Sequence, residues 1–366
     1  MENQIREVFF QLLRIGLWGK GNLSFDRLLT DEEWTQIYKN ALNRTVEGII
    51  YASFDHLEHK QLPPQYLRLK WAVRIDQIER INTKMNKVII AQYGLFTKNN
   101  IQPILQKGQG VAQNYNIPLH RVSGDVDWCF QDDDYAAARD LLKKKNIKFQ
   151  DTAGFSLDYD LHGIHIEHHK NLFDIRNPFK SKYLKRLEIE YRHKHQEVLI
   201  NDVKIKLLAP ELQILQVNAH ILKHLITFGI GLRQFCDSAR LYHETSTQID
   251  SAALKNIYKD LGILKWIHAL HHILVKYLNL PLTSLPFPYP EDMEIDWMID
   301  EVWYSGNFGY TDERFEKGKK SIISMHPDGG KRLWSNFKRY FRYAPTEVFY
   351  YPIIEVYSKY LGKDKD

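Results

Sequence analysis

Apolar residues recur at intervals of three and four through the first hundred positions. The stretches "IREVFFQLLRIGL", "DEEWTQIYKNALNRTVEGIIYASF" and "QYLRLKWAVRIDQIERINTKMNKVIIAQYGLFTKNN" each predict an amphipathic helix. Thr30 or Asp31 is placed to cap the second, and Asn99-Asn100 to end the third. The rhythm then changes. "IQPILQ" is a short apolar run that stops at "KGQG", and "GDVDWCF" alternates like a strand. "DDDYAAARDLLKKKN" reads as a helix with acids at its start and lysines at its end, matching the helix dipole. "FSLDYDL" and "IHIEHHKNL" alternate again across a hairpin at His162-Gly163, and "HQEVLI" and "VKIKLL" pair across Asn201-Asp202. About six short strands are thus expected between residues 101 and 208. The helical period returns in "PELQILQVNAHILKHLITFG", with Pro210 at a first-turn position, and continues through "LRQFCDSARLYHE", "DSAALKNIYKDLG" and "LKWIHALHHILVKYLNL". A proline-rich joint, "LPLTSLPFPYP", leads to a basic and aromatic tail. The pattern predicts an α+β chain: a helical region over 1–100, an α/β core over 101–208 and a helical domain over 209–366.

Composition narrows the class only modestly. At 366 residues, 44% hydrophobic and 26% charged, the chain can bury a substantial core, and its 21 Tyr and 18 Phe exclude a disordered one. A formal charge of +5 suits an anionic ligand without demanding one. Two cysteines, Cys129 and Cys236, exclude a disulfide framework and a cysteine-based zinc module and fit a reducing compartment. The N-terminal "MENQIREVFFQLLRIGLWGK" reads as an amphipathic helix and not a signal peptide, and no apolar run reaches membrane-spanning length. A cytoplasmic protein is expected.

The chemistry concentrates in "SGDVDWCF". On a strand, Asp125 and Asp127 project from one face while Val126, Trp128 and Phe130 anchor the other. Their Cα atoms would lie about 6.5–7 Å apart, a separation from which two carboxylates converge on metal ions. A solvated edge strand is the plain alternative. In "GIHIEHH", His165, Glu167 and His169 share a face, and Glu167 becomes a third carboxylate if this strand lies beside the first. Three carboxylates on adjacent strands suit a pair of Mg²⁺ (or Mn²⁺) ions holding nucleotide phosphates for in-line displacement at phosphorus. In "QKGQG", Gly108, Gln109 and Gly110 offer backbone N–H groups to phosphate, and Lys107 a point charge. Arg121 and Gly124 precede the aspartates, Arg121 as a partner for them or for phosphate.

These parts, in this order, resemble the DNA polymerase β-like nucleotidyltransferase superfamily, and more closely the bacterial family of uncharacterised nucleotidyltransferases. The resemblance rests on Lys107-Gly108, Arg121, Gly124-Asp125-Val126-Asp127, Glu167 with His169, and "GLRQFCDSARLY" with Arg233 and Asp237, and covers roughly residues 85 to 280. It implies a small mixed sheet flanked by helices, two Mg²⁺ ions held by Asp125, Asp127 and Glu167, and transfer of a nucleotidyl group from an NTP. The acceptor stays open among small molecule, sugar, RNA and protein, as does the base. Two positions depart from the wider superfamily: Gln109 stands where its phosphate turn carries Ser, and Glu167 where Asp is common.

Competing readings attach to several of these residues. A non-catalytic binding protein of the same fold is the principal rival. A metal hydrolase or oxygenase using the His165/Glu167/His169 face is another, with the rim of the carboxylate site as the alternative place for those histidines. His220 and His224, four apart, read as helix packing. Arg233 and Asp237, also four apart, read either as a helix-surface ion pair or as cleft contacts. The tail "RLWSNFKRYFRY" reads as a helix packed on the body in preference to an RNA or membrane contact.

Overall fold

The computed structural model describes residues 2–25, 27–131, 133–152, 156–227, 229–307, 320–321, 324–327 and 329–362. Asp132 of "DDDYAAARDLLKKKN", Phe155 at the head of "FSLDYDL" and the terminal "KDKD" lie outside them. In chain order the elements are α1 (Glu2–Trp18), α2 (Asp31–Asn43), α3 (Glu47–Ala52), α4 (Gln65–Thr97), β1 (Pro103–Gln106), α5 (Gly108–Ala112) and β2 (Asp125–Phe130). There follow α6 (Asp134–Lys144), β3 (Gln150–Thr152), β4 (Ser156–Leu161), β5 (Ile164–His169), α7 (Ser181–Glu190), β6 (Gln196–Ile200) and β7 (Val203–Leu207). Helices α8 (Pro210–Ile226), α9 (Leu232–Thr245), α10 (Ser251–Leu261), α11 (Leu264–Leu278), α12 (Asp296–Ser305), α13 (Gly329–Tyr340) and α14 (Pro345–Gly362) complete the described chain. Among the described residues, no helix is long and apolar enough to cross a membrane.

Local chemistry accounts for most boundaries. Thr30 and Glu33 form a reciprocal capping box that starts α2. Asp250 caps α10 and Gly262, in the left-handed region, stops it. Both predicted hairpins form with two successive left-handed residues, His162-Gly163 (φ 53° and 68°) and Asn201-Asp202 (φ 44° and 67°), the geometry whose twist matches paired strands. One predicted helix divides. The run from Asp31 to Phe54 breaks between α2 and α3, where Thr45 adopts φ 56°. Arg44 is buried there, its guanidinium donating to the Trp303 carbonyl and lying 3.8 Å from the centre of that ring. A long-range contact thus overrides the local period. The strand β3 is also additional to the prediction.

Five strands form one mixed sheet in the order β1-β2-β5-β4-β3, with β2 and β5 parallel and the other neighbours antiparallel. This is the small mixed sheet with flanking helices expected of a nucleotidyltransferase core, with β6–β7 as a separate hairpin. Its back face is apolar: Val126, Trp128, Phe130 and Ile166 are buried against α6 and the second half of α4. α4 is the spine. Its 33 residues extend about 50 Å, so that Leu67, Trp71, Ile75 and Ile78 enter the helical core while Met85, Ile89 and Phe96 enter the sheet core.

A polar relay runs through that apolar back face. Trp128 Nε1 donates to Gln92 Oε1 (2.7 Å), Gln92 Nε2 donates to Tyr159 Oη (2.6 Å), and Tyr159 Oη lies 3.0 Å from His168 Nε2. Burial holds His168 neutral, its pKa pushed down to about 3, so its ring carries one donor and one acceptor nitrogen. A second network joins the C-terminal helices: Asn218 Nδ2 donates to Tyr242 and Tyr258, and His271 Nε2 lies 2.9 Å from Tyr242 Oη. The basic-aromatic tail helix α13 packs on the body through buried Tyr340 and through Asn336, whose Nδ2 donates to the Ile226 and Thr227 carbonyls at the end of α8.

Two measurements test these networks. Gln92→Leu leaves the buried Trp128 donor without its acceptor and removes the donor to Tyr159 Oη, and is expected to lower the unfolding free energy by about 2–3 kcal/mol in urea titration. His271 is fully buried, and burial lowers its pKa from 6.5 to about 3. The unfolded chain therefore takes up a proton at this residue below pH 6.5 that the folded chain refuses, and stability falls with falling pH by about 1.4 kcal/mol per unit for this group. In His271→Gln, the loss of stability between pH 6.5 and 5 should be smaller than in the unmodified chain by about 2 kcal/mol.

Candidate functional site

The site is built where three strands end in register. Gln106 on β1 stands opposite Asp127 on β2, which stands opposite Glu167 on β5. Strand parity brings Asp125 and His169 to the same face, away from the apolar anchors. Immediately after Gln106 the chain turns through Lys107 (φ 43°, ψ −135°) and Gly108 (φ 34°). Glycine accepts that conformation readily; a lysine held there carries backbone strain of about 1–3 kcal/mol. A cavity of about 290 Å³ lies between this face and helices α8 and α9.

The carboxylates are compensated by fixed cations and donors. His169 Nε2 lies 2.6 Å from Asp127 Oδ1 and 3.3 Å from Glu167 Oε2, and Lys107 Nζ lies 3.5 Å from Asp127 Oδ1. Burial opposes ionisation of Asp127, but the Lys107 ammonium and the His169 ring outweigh it and hold the carboxyl well below its usual range. Asp125 moves the other way, raised first by the neighbouring Asp127 charge and then by burial. For Lys107 burial is outweighed by Asp127, Asp174, Asp125 and Glu167, so its ammonium form is reinforced.

The opposite wall holds chemistry that the pattern of spacings does not reveal. Asp174 lies 2.8 Å from His220 Nδ1 and 2.9 Å from Lys223 Nζ, and these partners overcome burial to keep it ionised. His220 and His224, expected as helix packing, line the cavity with their rings 4.4 Å apart. Burial and then Lys107 lower the pKa of His220 to about 4. Gln106 and Ser123 also line the cavity. Gln106 is 2% exposed and its amide nitrogen has no hydrogen-bond partner. Its signal was legible, as the residue before the Lys107-Gly108 turn; for Asp174 and Lys223 no local pattern existed.

Other expectations need correction. Arg121 does not pair with Asp125 or Asp127: Nε and Nη2 each donate to Asp237 at 2.7 Å, Nη1 donates to Ser123 Oγ, and the residue lines the cavity beside them. Both partners are buried. The helix-surface pair Arg233–Asp237 is therefore absent: Asp237 serves Arg121 and Tyr115, while Arg233 Nη1 donates to the Val122 carbonyl and Arg233 lines the cavity. Gln109 turns its side chain inward, donating to Asn82 Oδ1 (2.8 Å), and Gly110 exists for packing, since a Cβ there would sit 2.9 Å from Leu207 Cδ2. Of the phosphate-turn residues, Lys107, Gly108 and Gly124 line the cavity. His165 Nδ1 lies 3.3 Å from Asp160 at the exposed edge and its Nε2 lies 3.6 Å from Glu167 Oε1, so His165 flanks Glu167 but stands outside the tighter Asp127/Glu167/His169 group. The cluster geometrically suited to a cation is Asp127, Glu167 and His169, whose ligand atoms lie within 4.8 Å of one another. A donor set of two carboxylates and an imidazole, next to a third carboxylate, fits a divalent ion.

The sheet order, the strand parity and the register across β2 and β5 define a nucleotidyltransferase-type core. The family model described as uncharacterised nucleotidyltransferase matches residues 30–279, and the chain belongs to that family. Among solved structures, an antigenic nucleotidyltransferase-like protein from Paracoccidioides brasiliensis is similar over 56% of this chain and 93% of its own, with 14% identity and a TM-score of 0.31. Comparison with curated proteins gives no match.

Arg121–Asp237 braces the approach to the aspartate strand, and its removal is readily measured. Asp237→Asn leaves a buried guanidinium unpaired and should lower the unfolding free energy by about 3–5 kcal/mol, whereas the double variant Arg121→Met/Asp237→Leu should lose much less.

Proposed function

We propose that this protein is a divalent-metal-dependent nucleotidyltransferase that moves an NMP group from an NTP to an acceptor hydroxyl. The observation that carries this reading is the register that sets Glu167 opposite Asp127, with Asp125 on the same face and a cavity above all three. Asp125, Asp127 and Glu167 are the residues that would hold the cation. When bound, it would neutralise phosphate charge and acidify the acceptor hydroxyl.

The chain's own groups perform the rest. Lys107 and Arg233 supply positive charge for the triphosphate. Gly108 and Gly124, without side chains, let the phosphates approach the backbone closely. The cleft walls withdraw these charges partly from water, so they act more strongly on a substrate held in one orientation. The acceptor oxygen bonds to the α-phosphorus, the bond from that phosphorus to the bridging oxygen breaks, and pyrophosphate leaves with the electron pair. The hydroxyl proton passes to the carboxylate face.

Calorimetric titration with ATP, GTP, CTP and UTP in the presence of Mg²⁺ or Mn²⁺ is expected to show binding of at least one nucleotide. Incubation of the protein with α-labelled NTP in cell extract should place label on an acceptor. Asp127→Ala should reduce that labelling by about 10²–10³-fold or more. Binding of nucleotide with no labelled product, unaltered by Asp125→Ala/Asp127→Ala, would identify a binding protein instead.

A further inference from the structure

The tail helix α13 packs on the body through Asn336 and Tyr340, and its other side carries a ladder of rings. Trp334 and Phe337 stack with centroids 5.6 Å apart and planes 12° apart, and Phe341, one turn on, follows at 5.3 Å. Both ends of the ladder stay in solvent: Trp334 is 61% exposed and Phe341 45%. Contiguous rings left in water on one side of a helix mark an interaction site.

Cations are interleaved with these rings. The segment "KRLWSNFKRYFR", residues 331–342, holds five basic residues and no acid. Lys338 Nζ lies 5.3 Å from the centre of the Trp334 ring, and Arg342 is exposed one residue past Phe341. Beside the ladder, an open groove of about 660 Å³ is lined by Lys338, Arg339 and Arg342 on one side and by Asp300, Glu301 and Tyr304 of α12 on the other. Arg6 engages Asp300 and Arg339 engages Glu301, so Lys338 and Arg342 give the groove its net positive charge. The surface lies outside residues 30–279 that define the family, yet close to the core. Asn336 donates to the carbonyls of Ile226 and Thr227, just past His224 of the cavity wall.

We propose that α13 and the groove beside it bind single-stranded RNA, bases stacking on Trp334 and Phe341 while phosphates meet Lys338 and Arg342. Every base presents a π-face to a ring and each is followed by a phosphate, which matches rings and cations sharing one side of the helix. A bilayer fits less well. An interfacial helix keeps its cations on the face opposite its rings, whereas here an ammonium lies over the Trp334 ring. The Asp300 and Glu301 carboxylates across the groove are acceptors, and of a strand's sugar and phosphate groups the ribose 2′-hydroxyl donates to them, which favours RNA over DNA. Binding here needs neither NTP nor metal and is independent of the transferase activity.

The test titrates the full chain, without NTP or divalent ion, into a labelled RNA strand of about 16 nucleotides, the DNA strand of the same sequence and the RNA duplex, read by fluorescence anisotropy. The RNA strand should bind more tightly than either of the others. Trp334→Ala and Phe341→Ala should each weaken it by about tenfold, and Trp334→Phe by much less. The double variant Lys338→Gln/Arg342→Gln should lower the slope of log affinity against log salt by about 1.4. These side chains are all exposed, so the variants are expected to fold, which circular dichroism checks. Absence of RNA binding, equal binding of DNA or duplex, or unchanged affinity in Trp334→Ala/Phe341→Ala would overturn the proposal. Displacement of the strand by excess MgATP would also overturn it, by placing the strand in the carboxylate cavity. So would flotation with phosphatidylserine vesicles that the same ring variants abolish, which would identify a membrane face.

Discussion

Two carboxylates held opposite each other on adjacent parallel strands are the constraint around which this protein is arranged. Asp127 and Glu167 face one another in the β2–β5 register, and Asp125 follows two residues from the first. Like charges so close, partly withdrawn from water, repel strongly unless positive charge is fixed beside them. Lys107, held in a strained turn, provides it, and His169, on the same strand as Glu167, adds a ring nitrogen 2.6 Å from Asp127. The two aspartates respond in opposite ways: Lys107 and His169 stabilise Asp127 as an anion, and that charge, with burial, pushes Asp125 towards protonation.

Holding that register requires a rigid back face and a braced front. Behind the sheet, Trp128, Phe130 and Ile166 lock the strands against α4 and α6, and the Trp128–Gln92–Tyr159–His168 relay fixes α4 against β2, β4 and β5 by hydrogen bonds that have no water to replace them. In front, Arg121 on the segment leading into β2 is clamped by Asp237 of α9, and Asn82 of α4 donates to the Leu119 and Arg121 carbonyls. Helices from both ends of the chain therefore converge on the loop that presents Ser123 to Asp127. The helical regions complete the cavity: α8 brings His220, His224 and Lys223, and α9 brings Arg233.

Much of this was legible along the chain because it depends on short-range periodicity. Alternation sorted Asp125 and Asp127 from Val126, Trp128 and Phe130, and the left-handed turns at His162-Gly163 and Asn201-Asp202 announced their hairpins. The lysine-glycine turn and the third carboxylate were found for the same reason. What escaped were partners separated by a hundred residues or by a change of element. Arg121 and Asp237 are 116 positions apart and Asp174 and His220 are 46 apart, so spacing offered no means of pairing them. The spacing of four between Arg233 and Asp237 suggested a local pair, but the buried guanidinium of Arg121 captured the carboxylate in a bidentate bond stronger than a surface contact.

The sequence by itself determined the elements, their polar faces and the family to which the chain belongs, because helix and strand periods and the motif residues are properties of neighbouring positions. Tertiary structure decided which charges meet. It alone set β5 beside β2 in parallel, turned Lys107 into the carboxylates, paired Arg121 with Asp237 and brought the Asp174–His220–Lys223 wall across the cavity. Electrostatic compensation of a buried charge is a matter of distance in space, falling off over a few ångströms, and the chain's order holds no record of that distance until it is folded.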